Sequence, residues 1–286
     1  MASPALLTVR PAQEKDRNHL THLLHFETYV HRHLDWRQPV DWLGDDPYLV
    51  IERGGRILAA LVCPPDPREV AWIRLFACSS RLAPSAAWAH LWPMAREYLV
   101  ARKAEQAVAL PLHKWFKTLL ETHDFDHAHN VVVLDWLPDP DFKASDGTDI
   151  RRMTEDDLSG VHAVDNEAFP ALWRNSFHAV ELAFKQAAYS TVIELDGRVA
   201  AYQISTPSSQ GLHLARLAVH PDFQGRRLAF TLGEDVKQRA VKHQMNRLTV
   251  NTQTTNVASL GLYKKLGFEF TGEEFQVYSQ SLETTD

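Results

Sequence analysis

The residues best placed to do chemistry lie between positions 212 and 268. Leu212-His213-Leu214-Ala215-Arg216-Leu217-Ala218-Val219 carries branched and aliphatic residues in alternation and reads as a buried strand. His220-Pro221-Asp222 ends it, because proline cannot continue a sheet ladder. After Gln224-Gly225-Arg226, helical spacing begins, with Leu228, Leu232, Asp235, Val236, Arg239 and Ala240 recurring at three- and four-residue intervals. A strand, a basic glycine-containing turn and a helix present free backbone N–H groups and a positive dipole end to a phosphate. Arg226 and Arg227 can add charge-assisted bonds to the same anion. Further on, Asn256 is a good helix N-cap, and Gly267 marks the end of the helix that carries Tyr263. His213 stands four residues before Leu217 and is expected to share its face of the strand. An imidazole there can accept a proton near neutral pH.

These residues need a folded scaffold, and the composition supplies one. Hydrophobic residues at 45% and charged residues at 23% are normal for a folded chain, and 286 residues suffice for two domains. The net charge of −6 argues against a nucleic-acid partner, which usually calls for a basic face. Cys63 and Cys78 are the only cysteines, so there is no disulfide framework or four-cysteine zinc site, and a reducing cytoplasm fits. No apolar run is long enough to cross a bilayer, and Met1–Ala5 lacks the basic and apolar regions of a secretory signal. The expectation is a cytoplasmic protein with no membrane partner.

The chain reads as one domain written twice. Leu49 to Ile57 matches Thr191 to Val199, each an apolar hairpin around a glycine-bearing turn. At nearly the same displacement, Val9-Arg10 answers Ile150-Arg151, Asp16 answers Asp157, and Arg74-Leu75 answers Arg216-Leu217. Matches spread this widely indicate duplication. Residues 138–147, rich in proline, aspartate and glycine, have linker composition, giving domains at 1–137 and 148–286. Each half is expected to run through a strand, a helical stretch (Asn18 to His31; Glu155 to Phe169), the hairpin, a further strand and a long helix, then strand, helix and strand. That order makes an α/β protein of α+β character, with mostly antiparallel sheets flanked by helices.

The two chemical stretches together resemble the GNAT superfamily of acyl-CoA-dependent N-acetyltransferases. The turn there carries Arg/Gln-x-x-Gly-x-Gly/Ala, and here it reads Gln224-x-x-Arg227-x-Ala229, with arginine in place of the usual glycine. The later helix carries Asn256, then Tyr263, then Leu266-Gly267-Phe268, as in the family. The resemblance implies a sheet splayed between its fourth and fifth strands, where the pantetheine arm of acetyl-CoA lies. It implies that the backbone of Gly225, Arg226, Arg227, Leu228, Ala229 and Phe230, with Gln224, cradles the pyrophosphate. The main chain of Leu217, Ala218 and Val219 would pair with pantetheine and polarise the acetyl carbonyl, and Asn256 would cap its helix and bond pantetheine. Tyr263 would protonate the leaving thiolate, since a phenol with a pKa of about 10 stays protonated at neutral pH. His213 occupies the position of the general base in several members. The glutamate that others place five residues before the asparagine is Asn251 here. Glu167 and Trp173 fall in the segment that usually shapes the acceptor site.

The halves are not equivalent. After Leu75-Phe76-Ala77 the first reads Cys78-Ser79-Ser80-Arg81-Leu82-Ala83-Pro84, without a glycine turn. His113 falls where Asn256 stands and Leu120 where Tyr263 stands, and a leucine donates no proton. The N-terminal copy is therefore expected to be catalytically silent, in a tandem layout similar to that of mycothiol synthase. The activity implied is direct acetyl transfer from acetyl-CoA to a primary amine, a small molecule or a protein N-terminus, by a monomer or weak homodimer. A non-catalytic acyl-CoA-binding or scaffold protein is the alternative, motivated by Arg227 and Asn251. Histidines 22, 25, 31, 33, 123, 127 and 129 fall in the silent half without cysteine or clustered carboxylates, so no metal is expected.

Overall fold

A computed structural model describes residues 6–144 and 149–283; the rest of the expected linker, Ser145 to Gly147, and the Met1–Ala5 segment lie outside the described residues. The chain forms two compact units, one of residues 1–128 with 276–286 and the other of residues 129–275.

The first unit contains strand β1 (Thr8–Pro11), helix α1 (Arg17–Phe26), β2 (Tyr29–Arg32), the hairpin β3 (Tyr48–Arg53) and β4 (Arg56–Val62), then β5 (Val70–Trp72) and β6 (Leu75–Cys78). Helix α2 (Pro84–Ala101), β7 (Gln106–Ala109) and α3 (Lys114–Glu121) follow. Proline at the first turn of α2 fits there because that N–H has no helical partner. Five strands pair in the order β1-β3-β4-β6-β2. The core beneath them is built on Phe76, Trp88, Leu91 and Phe116, all fully buried.

Strand β8 (Asp126–Trp136) leads into the second unit, which holds β9 (Ile150–Arg152), α4 (Leu158–Ala168), α5 (Phe177–Gln186), β10 (Tyr189–Leu195), β11 (Arg198–Ser208) and β12 (Gly211–Val219). Helix α6 (Leu228–Lys242), β13 (Arg247–Gln253), α7 (Val257–Lys265) and β14 (Glu269–Ser281) complete the chain. Strands β9 to β12 pair antiparallel in sequence order, and β12 then pairs parallel with β13. The β12–β13 ladder runs only from Gly211↔Arg247 to Leu214↔Val250, beyond which the strands separate. This is the splay expected between the fourth and fifth strands.

The duplication is visible bond by bond. Both hairpins carry the same irregularity, between Ile51 and Glu52 in one and between Ile193 and Glu194 in the other. Arg10 bridges Asp16 and Glu52 as Arg151 bridges Asp157 and Glu194. In each, a buried aspartate at the start of the first helix holds the first strand and the hairpin through one guanidinium.

Two sequence expectations change. The unit limits differ from 1–137 and 148–286 because residues 131–136 pair antiparallel with β13, while Tyr278 to Ser281 pair with β7. Backbone pairing, rather than the proline-rich stretch, sets the division. The helix expected to reach His31 ends at Phe26, and the β-branched and aromatic Tyr29-Val30 begin a strand that pairs with β6 instead. Helix α5, capped by the Ser176 side chain on the Ala179 N–H, was not expected from the sequence pattern.

Candidate active site

Where β12 and β13 part, a cleft of about 1220 Å³ opens in the second unit. Its walls include Leu217, Ala218 and Val219 of β12, the turn residues Gln224, Gly225 and Arg227, and Leu228, Ala229 and Phe230 of α6. Asn256, Ser259, Leu262 and Lys265 close one side, and His129, Phe169, Pro170 and Trp173 another. The lining contains Arg227 and Lys265 and no carboxylate, so it favours an anion although the chain as a whole is acidic.

The turn takes its shape from backbone conformation. Gly225 sits at φ +76° and Arg227 at φ +62°, both left-handed. No atom would obstruct a Cβ at Gly225, so glycine serves the dihedral there and not the space. Arg227 adopts the left-handed geometry that a glycine would take, at a cost of about 1 kcal/mol. The arginine therefore keeps the glycine path, and its guanidinium lies 5.0 Å from the Phe230 ring centroid. Helix α6 begins at Leu228, and its first helical bond runs from the Thr231 N–H to the Arg227 carbonyl. The N–H groups of Leu228, Ala229 and Phe230 thus precede the helical ladder at the cleft wall. Arg226 is exposed, is not among the lining residues, and lies over the Phe223 ring.

Strand β12 is distorted where it meets the cleft. Ile204 pairs with Arg216 and Ser205 with Leu214, so Ala215 is an extra residue. The bulge reverses the alternation of side chains beyond it. Leu212 and Leu214 before it, and Leu217 after it, pack into the same cluster with Val236 and Tyr263. His213 therefore does not share the face of Leu217, contrary to the undistorted-strand expectation. Its Nδ1 meets Thr249 Oγ1 at 2.9 Å, and it does not line the cleft. Burial lowers its pKa, opposed by a hydrogen bond to Asn251.

Arg216, on the opposite face from Leu217, anchors the cleft wall that carries Phe169 and Trp173. Its Nε and Nη2 donate to both oxygens of Asp165, which is fully buried, at 2.7 and 2.8 Å. It also donates to the Trp173 carbonyl and lies 3.8 Å from the Phe169 ring centroid. Asp165 further accepts from the Tyr202 hydroxyl and from the Asn175 N–H. One buried carboxylate thus ties α4, β11, β12 and the 169–175 segment together. Sequence reasoning matched Arg216 to Arg74 but missed this role, because its partner lies 51 residues away and no local spacing marks it.

Asn256 caps α7, its Oδ1 accepting from the Ser259 N–H at 3.1 Å. Lys237 on α6 donates to the Leu266 carbonyl at the other end of the helix, at 2.8 Å. Tyr263 is 5% exposed, packs in the cluster to which Leu217 and Phe230 contribute, and stands behind the lining rather than in it. Burial pushes its phenol well above the usual range, against the pull of the Arg216 charge, so it remains protonated at neutral pH. Trp173 lines the cleft, its ring 5.9 Å from that of His129. Glu167 is exposed on α4 and does not line it, being on the far side of the helix from Asp165. His129, considered in the sequence only as a metal ligand, is the one imidazole of the lining. Among the described residues no group of three or more histidine, cysteine or acidic side chains could hold a metal.

The splayed sheet, bulged strand and left-handed turn define an acyltransferase-type α/β unit preceded by a diverged copy. Residues 155–268 match the acetyltransferase (GNAT) family, which makes that stretch of the second unit a GNAT-type domain. The "Putative ribosomal protein bS18-alanine N-acetyltransferase" of Bacillus subtilis (strain 168) is 25% identical over 132 residues, covering 46% of this chain and 87% of that protein. The spore coat polysaccharide biosynthesis protein SpsD of the same strain is 29% identical over 113 residues, 40% of this chain and 36% of its own length. The fold of the whole chain resembles that of a tandem GNAT protein from the clavulanic acid biosynthesis pathway, with TM-score 0.65, 15% identity, and 98% and 100% of the two chains covered. A GCN5-related N-acetyltransferase from Sphaerobacter thermophilus aligns with TM-score 0.61 at 13% identity, covering 97% and 96%. No helix among the described residues is long and apolar enough to cross a membrane.

Proposed function

We propose that the second unit transfers an acetyl group from acetyl-CoA to a primary amine by direct attack within this cleft. The observation that carries the reading is the unpaired edge of β12 running into a left-handed, cationic helix start along one continuous wall. The residues fit such a cosubstrate. The N–H groups of Leu228 to Phe230, with Arg227 and Lys265, meet the need of a pyrophosphate. The main chain of Leu217 to Val219, free of β13, offers the ladder of donors and acceptors that an amide-bearing arm requires. A thioester supplies an activated acetyl carbon and a good leaving group.

The chain's own groups then divide the work. The β12 main chain beside the bulge holds and polarises the carbonyl. Tyr263 returns a proton to the departing thiolate sulfur, a role that suits a phenol kept neutral by burial and that requires its hydroxyl to reach the cleft through the Leu217–Phe230 wall. His129 is better placed than His213 to take a proton from the acceptor ammonium, directly or through a water, and so free the amine that attacks, because it faces the cleft and His213 does not. Neither Cys63 nor Cys78 belongs to this unit, which supports direct transfer over a covalent enzyme intermediate. The aromatic wall of Phe169 and Trp173 suits the body or charge of an amine acceptor. The acetylated alanine in the name of the Bacillus relative makes a protein N-terminus one class to try.

The test is release of free thiol from acetyl-CoA across a panel of small primary amines and alanine-initiated peptides. Activity with at least one acceptor, reduced a hundredfold or more in Tyr263→Phe, supports the reading. Acetyl-CoA binding without transfer to any acceptor would return the acyl-CoA-binding alternative, and an unchanged rate in Tyr263→Phe would remove the proton-donor role.

A further inference from the structure

The first unit repeats the second up to the point where the cleft should open. Val70↔Gln106 begins a parallel β5–β7 ladder in the register that Leu212↔Leu248 holds between β12 and β13. The ladder ends at Trp72↔Val108, and the chain continues as β6, as β12 continues past Leu214. In the second unit the edge so released lines the cleft. In the first, β2 occupies it.

Tyr29↔Cys78, Val30↔Ala77, His31↔Phe76 and Arg32↔Leu75 pair antiparallel on the edge of β6 opposite β4. The segment is anchored at both ends. The Glu27 carboxylate accepts from the Ser79 hydroxyl at 2.8 Å and from the Ser80 N–H at 2.9 Å, in the turn between β6 and α2. That turn is the counterpart of the turn between β12 and α6. Burial works against the Glu27 charge, but the bonds from Ser80 and Ser79 outweigh it and hold the carboxyl below its usual range. At the other end, the His33 N–H donates to the Arg74 carbonyl at 3.0 Å, and its ring stacks on Trp72. Between them His31, 1% exposed, places Nε2 3.1 Å from the Ile73 carbonyl oxygen and stacks at 4.1 Å on Phe116.

The segment therefore offers an anion to the helix-start turn, an extended backbone to the released strand edge and a flat polar ring at the fork. The first two are features that an acyl-CoA would present to the second unit, a pyrophosphate at the helix start and an extended amide-bearing arm along the strand edge. We infer that residues 27–33 are a built-in stand-in for acyl-CoA, which fills the groove of the first unit and leaves the chain with a single cosubstrate site. The comparison with acyl-CoA rests on the function proposed above; the filling of the groove rests on the pairing of β2 with β6 alone.

Amide hydrogen exchange on the full chain, with and without saturating coenzyme A, tests it. Residues 29–32 and 75–78 should be protected in the free protein, with rates that coenzyme A leaves unchanged. Glu27→Gln, which keeps shape and removes charge, should speed exchange at Ser80 about tenfold without altering coenzyme A binding. Fast exchange at 75–78 in the free protein, or slowing of those amides by coenzyme A, would overturn the inference. So would a titration that finds two sites per chain. Absence of any slowing at 217–219 and 225–230 would instead count against the reading of the second unit, while protection of 29–32 would still decide this one.

Discussion

Replacing Asp165 by alanine probes the buried network that supports the Phe169–Trp173 wall of the cleft. The carboxylate accepts two bonds from Arg216, one from Tyr202 and one from Asn175, and has no solvent exposure. Its removal leaves a guanidinium that is only 14% exposed with the Trp173 carbonyl and the Phe169 ring as its named remaining partners. An orphaned buried charge of this kind costs about 3–5 kcal/mol. Against a total of about 5–15 kcal/mol, the second unit should unfold at much lower denaturant. With a slope of about 2 kcal/mol per molar urea, the midpoint should fall by about 2 M. Urea unfolding read by amide exchange in α4 and β12 reports this unit separately from the other. The double variant Asp165→Leu/Arg216→Met removes both charges and should be more stable than Asp165→Ala alone. A loss below about 1 kcal/mol in Asp165→Ala, or a double variant less stable than the single, would refute the reasoning.

Arg227→Gly should raise the stability of the second unit by about 1 kcal/mol, because glycine takes φ +62° without strain, yet weaken coenzyme A binding by loss of the charge; thermal melts and titration check the two effects. Asn256→Ala should cost about 1 kcal/mol through the lost cap on Ser259, measured by urea unfolding, with a matching rise in exchange at the first turn of α7. Burial lowers the His31 pKa to about 3, with the Ile73 carbonyl opposing and the nearby His113 charge reinforcing. A depressed folded value contributes stability that is complete above the unfolded pKa of about 6.5 and is lost as pH falls toward 3. The first unit should therefore lose up to about 1.4 kcal/mol per pH unit below about 6. His31→Phe should flatten that slope in urea unfolding as a function of pH.

Much of this was legible because duplication and short motifs are local. The paired guanidinium of Arg10 and Arg151, the glycine turns and the Asn256 cap all follow from residues near in sequence or repeated at a fixed displacement. What escaped depends on geometry accumulated elsewhere. The bulge at Ala215 has no sequence mark, yet it turns His213 away from the face of Leu217. Asp165 looks like an ordinary helical aspartate until α4 sets it against Arg216. Residues 29–31 read as helix because they follow one, yet β6 recruits 29–32 as a strand. His129 looked like one of several silent-half histidines, because the linker composition hid the fact that 131–136 pair with β13.

A calorimetric titration of the full chain with acetyl-CoA, repeated on Arg227→Glu, tests the cosubstrate site most directly. A single site per chain is expected, weakened at least tenfold by the reversed charge at the start of α6. No binding to the unaltered chain, or equal binding by Arg227→Glu, would contradict it.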